Sequence, residues 1–177
     1  MPHLTPFLAL LAAPAALWLA ACNPSLNWRE VRQSDSPLVA LMPCKPEPSS
    51  RTVRLGGHEV AMNLNSCTTA DATFIVGQAT VAAGNERDAL DHWKRAALGN
   101  ISVTQDPQSV KESALKISGM PDPQVLLNAI GKRGGGPAVQ FNGLWFARQG
   151  QLFHAAIYAS TVTQDMSEPF FGGLRLP

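Results

Sequence analysis

Apolar and polar residues alternate with a period of two along much of the chain. From His58 to Ser66, Val60, Met62 and Leu64 fall on one side and Glu59, Ala61, Asn63 and Asn65 on the other, the pattern of a half-buried strand. Leu38 to Cys44 is an apolar run closed by Pro43 and reads as a first strand, followed by a Pro- and Ser-rich loop at Lys45–Ser50. A short strand at Thr52–Leu55 meets the alternating strand through Gly56-Gly57, a two-residue hairpin signal. Ala72 to Ala82, beyond a turn at Thr69-Ala70-Asp71, is rich in Thr, Val, Ile and Phe and predicts another strand. Ala138–Ala147 and Leu152–Ala159 pair across the turn Arg148-Gln149-Gly150-Gln151. Weaker strands are expected at Val110–Ser118 and Val125–Ile130, separated by the turn Met120-Pro121-Asp122-Pro123. Ile101–Gln108 fits neither period.

The period changes between Asn85 and Leu98. Ala89, Leu90, Trp93, Ala97 and Leu98 recur at helical spacing, with Arg87, Asp91, Lys94 and Arg95 largely outside that stripe. Asn85 suits an N-cap, Asp88 three residues on suggests a capping box, and Gly99 suits the stop. A short helical turn at Met166–Phe171 and a closing segment at Leu174–Leu176 follow. One amphipathic helix needs a sheet to cover. The fold class expected is therefore α+β: an antiparallel sheet covered by one main helix, Asn85–Leu98, with a short C-terminal helical turn.

Residues 1–21 depart from all this. They hold no Asp, Glu, Lys or Arg, and Leu4 to Ala21 is mostly Ala and Leu, interrupted by Pro6 and Pro14. This is the form of a secretory signal peptide, although its amino end offers only the terminus and His3 as positive charge. Its length would also suit a membrane span, but two prolines and the lack of flanking Lys or Arg disfavour one. The run ends in Leu19-Ala20-Ala21-Cys22, which resembles the lipobox of bacterial lipoproteins. The resemblance implies acylation of the Cys22 thiol, removal of residues 1–21, and stable anchoring by two or more acyl chains. Asn23, where Asp is the inner-membrane retention signal, implies the outer membrane facing the periplasm in a Gram-negative cell. The partners implied are a membrane, through the lipid, and a cell-envelope protein.

The mature chain of 156 residues suffices for one domain, expected over 38–177, with 22–37 as lipidated N-terminus and tether. Asn23–Pro37 as flexible chain would reach about 20 Å. Trp28 beside Arg29 would suit lipid headgroups; the preferred alternative docks Leu26, Trp28 and Val31 on the domain as an irregular segment. The 14 basic and 13 acidic residues nearly balance, which gives no electrostatic case for nucleic acid. The order of strands, helix, meander and short helix over Leu38–Leu176, ending in Glu168–Leu176, resembles the PsbP-like architecture of many small exported bacterial lipoproteins. That resemblance implies a scaffold and names no chemistry.

With Cys22 acylated, Cys44 and Cys67 remain. An even pair in an oxidising compartment reads as a structural disulfide. A redox pair would want Cys-x-x-Cys spacing, and free buried thiols are the third reading. His58, His92 and His154 share no metal-ligand spacing. His154 alternates with Phe153, so one of the two is expected to face solvent. Gly134-Gly135-Gly136 after Lys132-Arg133 lacks the Gly-Lys-Ser/Thr order of a phosphate loop and reads as a hairpin loop. Lys132, Arg133 and Arg148 would gather as a small basic patch at one end of the meander, or stand as separate solvated charges. No Gly-x-Ser-x-Gly elbow supplies a nucleophile. No cofactor, metal site or catalytic residue is expected. The function read from the sequence is a membrane-anchored, non-catalytic binding or scaffolding module. The alternative is a small-ligand carrier or envelope enzyme using a pocket between helix and sheet, with His154 or His92 as its polar group.

Overall fold

The computed structural model describes residues 26–32, 36–103, 109–120 and 122–177. The segment 1–21, Cys22 and residues 104–108 lie outside the described residues. The elements in chain order are β1 (Arg29–Arg32), β2 (Val39–Met42), β3 (Glu47–Leu55), β4 (His58–Thr68), β5 (Ala72–Thr80), α1 (Glu86–Asn100), β6 (Val110–Leu115), β7 (Gln124–Lys132), β8 (Ala138–Arg148), β9 (Gln151–Ala159) and α2 (Gln164–Gly172).

Seven strands form one sheet in the order β3-β4-β5-β9-β8-β7-β6, and every neighbouring pair is antiparallel. This is the α+β arrangement expected from the pattern. The Gly56-Gly57 hairpin is tight: Leu55 pairs with His58, and both glycines hold positive φ, as a type I′ turn requires. Gln149-Gly150 repeats the device between Arg148 and Gln151.

Both faces of the sheet are covered. One carries α1, which packs Ala89, Trp93 and Ala97 against Leu55, Met62, Ala79, Leu127, Phe141, Leu152 and Ala156. The other carries α2, β2 and the C-terminal segment, over Phe74, Val76, Leu144, Phe146, Phe153, Ala155 and Ile157. Period two explains the split, because successive residues of a strand point to opposite faces. On β9 the odd positions 153, 155 and 157 serve one core, and 152, 156 and 158 serve the other.

Several expected boundaries shift. The loop placed at Lys45–Ser50 is largely strand, because β3 pairs with β4 from Glu47 onward. Proline is tolerated there on an edge strand. The helix runs past Gly99 to Asn100. The capping box does not form. The Asn85 side chain makes no cap bond but reaches His58 Nε2 at 3.5 Å. Instead the Gly84 N–H donates to the Glu86 carboxylate at 2.7 Å. The C-terminal helical turn is a nine-residue helix.

Residues 26–32 are more ordered than a tether. Leu26, Trp28 and Val31 pack against the α2-side core, and Trp28 meets Phe74 edge-on at 6.0 Å. The segment is not irregular either: β1 pairs with β2 over Arg29–Arg32. The ribbon so formed is fastened twice. Val39 exchanges backbone bonds with Arg175, whose guanidinium also meets Glu30. Cys44, just past β2, is joined by a disulfide to Cys67 on β4.

The disulfide closes a loop with a sequence separation of 23, worth about 3 kcal/mol in the chain-entropy picture. Replacing both cysteines (Cys44→Ala with Cys67→Ala) is therefore expected to lower the unfolding free energy by about 2–5 kcal/mol. Urea titrations of the two proteins check this. Coincident midpoints would remove the crosslink from the account of stability.

Candidate functional site

On the α1 side, β9 and its neighbour β8 carry a line of rings, flanked by smaller residues of β5. Gly77 pairs with His154 and His154 with Trp145; Thr73 pairs with Tyr158 and Tyr158 with Phe141. Two glycines beside them, Gly77 and Gly143, make the rings fit. A Cβ on Gly77 would come within 3.0 Å of the Trp93 indole. One on Gly143 would lie 2.3 Å from Phe141 and 2.7 Å from Trp145. The small residues leave room for the large ones to lie down on the sheet.

His154 sits inside this line. Its ring stacks on Trp145 at 4.5 Å and 14°, and Trp93 of α1 tilts over it at 5.3 Å. Nδ1 lies 3.1 Å from the Leu144 carbonyl. Since the carbonyl accepts, Nδ1 carries the proton and Nε2 is the unprotonated nitrogen of the neutral ring. Burial disfavours the cation and lowers the pKa to about 4, against a smaller upward pull from the hydrogen bond. The expectation that either Phe153 or His154 faces solvent is overturned: Phe153 is fully buried and His154 is 4% exposed. The reason is topological, because β9 is the fourth of seven strands and is covered on both faces. The neighbouring Trp145 Nε1 is buried without a partner among the described residues.

Beside the rings, where α1 runs out, the sheet face opens into a cavity of about 370 Å³. Trp93 and His154 close its inner end, Met62, Leu64 and Ile75 form its floor, and Ala96 and Ala97 its roof. Ser66 and Thr73 line it with Arg51 toward β3; Asn100, Ile101, Arg133 and Tyr158 line it toward β7. Two close approaches build the second group. Lys132 N–H donates to Ile101 O, and Gly131 lies so near that carbonyl that a Cβ would stand 2.1 Å from it. The end of α1 is thereby pinned to the end of β7, and Arg133 follows directly. Burial raises the pKa of Tyr158, and the charge of Arg133, which lines the same cavity, pulls it the other way.

The other sequence candidates do not join this site. His58 is exposed at the β3–β4 hairpin, and His92 is half-buried on α1 outside the cavity lining. The basic patch of Lys132, Arg133 and Arg148 does not form. Lys132 pairs with Ala138 at the start of β8, whereas Arg148 ends that eleven-residue strand and donates to Leu176 O and Pro177 O. Strand length alone puts them about 30 Å apart. Gly134-Gly135-Gly136 turns β7 into β8, as a hairpin loop. Arg51, Asn100 and Tyr158 were not foreseen as site residues. A signal did exist for Tyr158: it lies four positions from His154 on one strand, hence on the same face. No protein-family model matches the chain, and no curated protein does.

The buried imidazole makes stability depend on pH. Above pH 6.5 folded and unfolded chains both hold it neutral. Between 6.5 and about 4 the unfolded chain binds a proton that the folded chain excludes, so stability falls as pH is lowered through that window. The loss should approach about 3 kcal/mol. His154→Phe should flatten the urea midpoint between pH 7 and 4.5 relative to the parent. A His154 imidazole that titrates near 6.5 by NMR would contradict the assignment.

Proposed function

We propose that the protein is a non-catalytic binding module of the bacterial cell envelope, held to a membrane by acyl chains on Cys22, with the cavity beneath the end of α1 as its binding site. The observation that carries the reading is the cavity itself. It is concave, backed by an apolar floor and rimmed by a few polar groups, the usual make-up of a small-molecule site. His154 supports binding over catalysis: a ring with pKa lowered to about 4, wedged between two indoles, is too weak a base for proton transfer near neutrality. The sequence Leu19-Ala20-Ala21-Cys22 supports the anchor, and the Cys44–Cys67 disulfide suits an oxidising compartment. Asn23 supports the outer membrane facing the periplasm in a Gram-negative cell. The fully antiparallel sheet with α1 on one face and α2 on the other supports a PsbP-like architecture.

The anchor is tested by the intact mass of the protein taken from bacterial membranes, with and without reduction before thiol alkylation. The expected species runs from Cys22 to Pro177 with acyl chains added, and two thiols alkylate only after reduction. A mass that retains residues 1–21 would overturn the lipoprotein reading.

A further inference from the structure

We propose that the cavity takes a small amphiphile with one anionic head group, its apolar body on Leu64 and Ile75 and its head at the corner made by Arg133 and Tyr158. The inference rests on the cavity being a binding site and adds the chemistry of what fills it.

Charge decides the sign. Among the described residues no Asp or Glu lines the cavity, whereas Arg51 and Arg133 do, from opposite rims. Neither guanidinium belongs to an ion pair among the described residues, whose pairs join Glu30 to Arg32 and Arg175, and Lys94 to Glu112. Arg54 also borders the space and adds to the same sign. An arginine free of a carboxylate, in a cavity that a phenol also lines, is a ready partner for carboxylate or phosphate oxygens, which accept from its N–H groups and from the hydroxyl. The C-terminal end of α1 at the same mouth carries partial negative charge. Its last carbonyls are already occupied, Leu98 O by the Ile101 and Val103 N–H groups, Gly99 O by Ser102 and Ile101 O by Lys132. The guanidinium charge therefore dominates the corner.

Size and shape set the rest. About 370 Å³ lies near the lower end of small-molecule sites, enough for one short chain or ring system and too little for a two-chain lipid. The floor is apolar, and Trp93 adds an aromatic side chain to the lining.

The test is calorimetric titration of the full chain, held in zwitterionic lipid nanodiscs, with octanoate, octyl phosphate, octanol and octylammonium, with empty nanodiscs as the blank. Both anions should bind at least about tenfold tighter than octanol, and octylammonium weakest. Their relative strength tells a carboxylate preference from a phosphate one. Arg133→Gln, with an unchanged thermal midpoint, should bring the anions down to the affinity of octanol and leave octanol unaffected. Equal binding of all four, or an anion preference that survives Arg133→Gln, overturns the anionic-head proposal while leaving the cavity a binding site. Binding of none of them by the folded protein overturns both.

Discussion

Strand β9 has to satisfy two cores at once. It stands fourth among seven strands, with a helix over each face of the sheet, so no residue from Leu152 to Ile157 has a solvent side. Every neighbouring choice follows from that constraint. The odd positions meet phenylalanines brought by β5, β8 and α2; the even positions meet indoles brought by α1 and β8. A histidine in this setting is held as a neutral ring by a backbone carbonyl and aromatic faces, because a charged one could not be solvated there. The cavity lies on the same face, where α1 ends before the sheet does.

The sequence conveyed the strands well where one face is wet. β4 alternates cleanly because its outer positions stay partly exposed, and the Gly-Gly and Gln-Gly turns are local chemistry. β9 was legible as a strand but not as a central one. Residues 152–159 are apolar almost throughout, and His154 was the one position that suggested a wet side. Pattern cannot supply strand order, and strand order decided the burial of that histidine. β3 was underestimated because Pro48 and two serines look like loop, although an edge strand tolerates them. The cavity was not legible, since Arg51, Asn100, Arg133 and Tyr158 come from three separate elements and the loop after β7, which only the tertiary fold collects. A pocket between helix and sheet with His154 or His92 as its polar group is the alternative that the sequence offers, and of the two only His154 lines the cavity.

Glycine has a packing role here that composition hides. Gly77, Gly131 and Gly143 are interior strand positions, where glycine ordinarily weakens a sheet. Each marks a place where something bulky comes down onto the backbone: the Trp93 indole, the end of α1, and the Phe141 and Trp145 rings. The local cost in strand propensity is offset by bringing α1 close enough to roof the site.

The covalent tie between Cys44 and Cys67 also gives the molecule a mechanical character. A pull at the N-terminus, such as a membrane would exert on a tethered protein, enters beside Asn27, whose N–H is bonded to Pro43 O, and first loads the β1–β2 ribbon. Should that ribbon peel away, the chain from residue 26 to Cys44 could pay out about 60 Å. There the load would jump across the sulfurs to β4, bypassing β3 and the hairpin between them. The disulfide thus caps how much chain a pull can draw out, and because Leu38, Ala40 and Met42 are buried, drawing it would open the core beneath α2, on the face opposite the cavity.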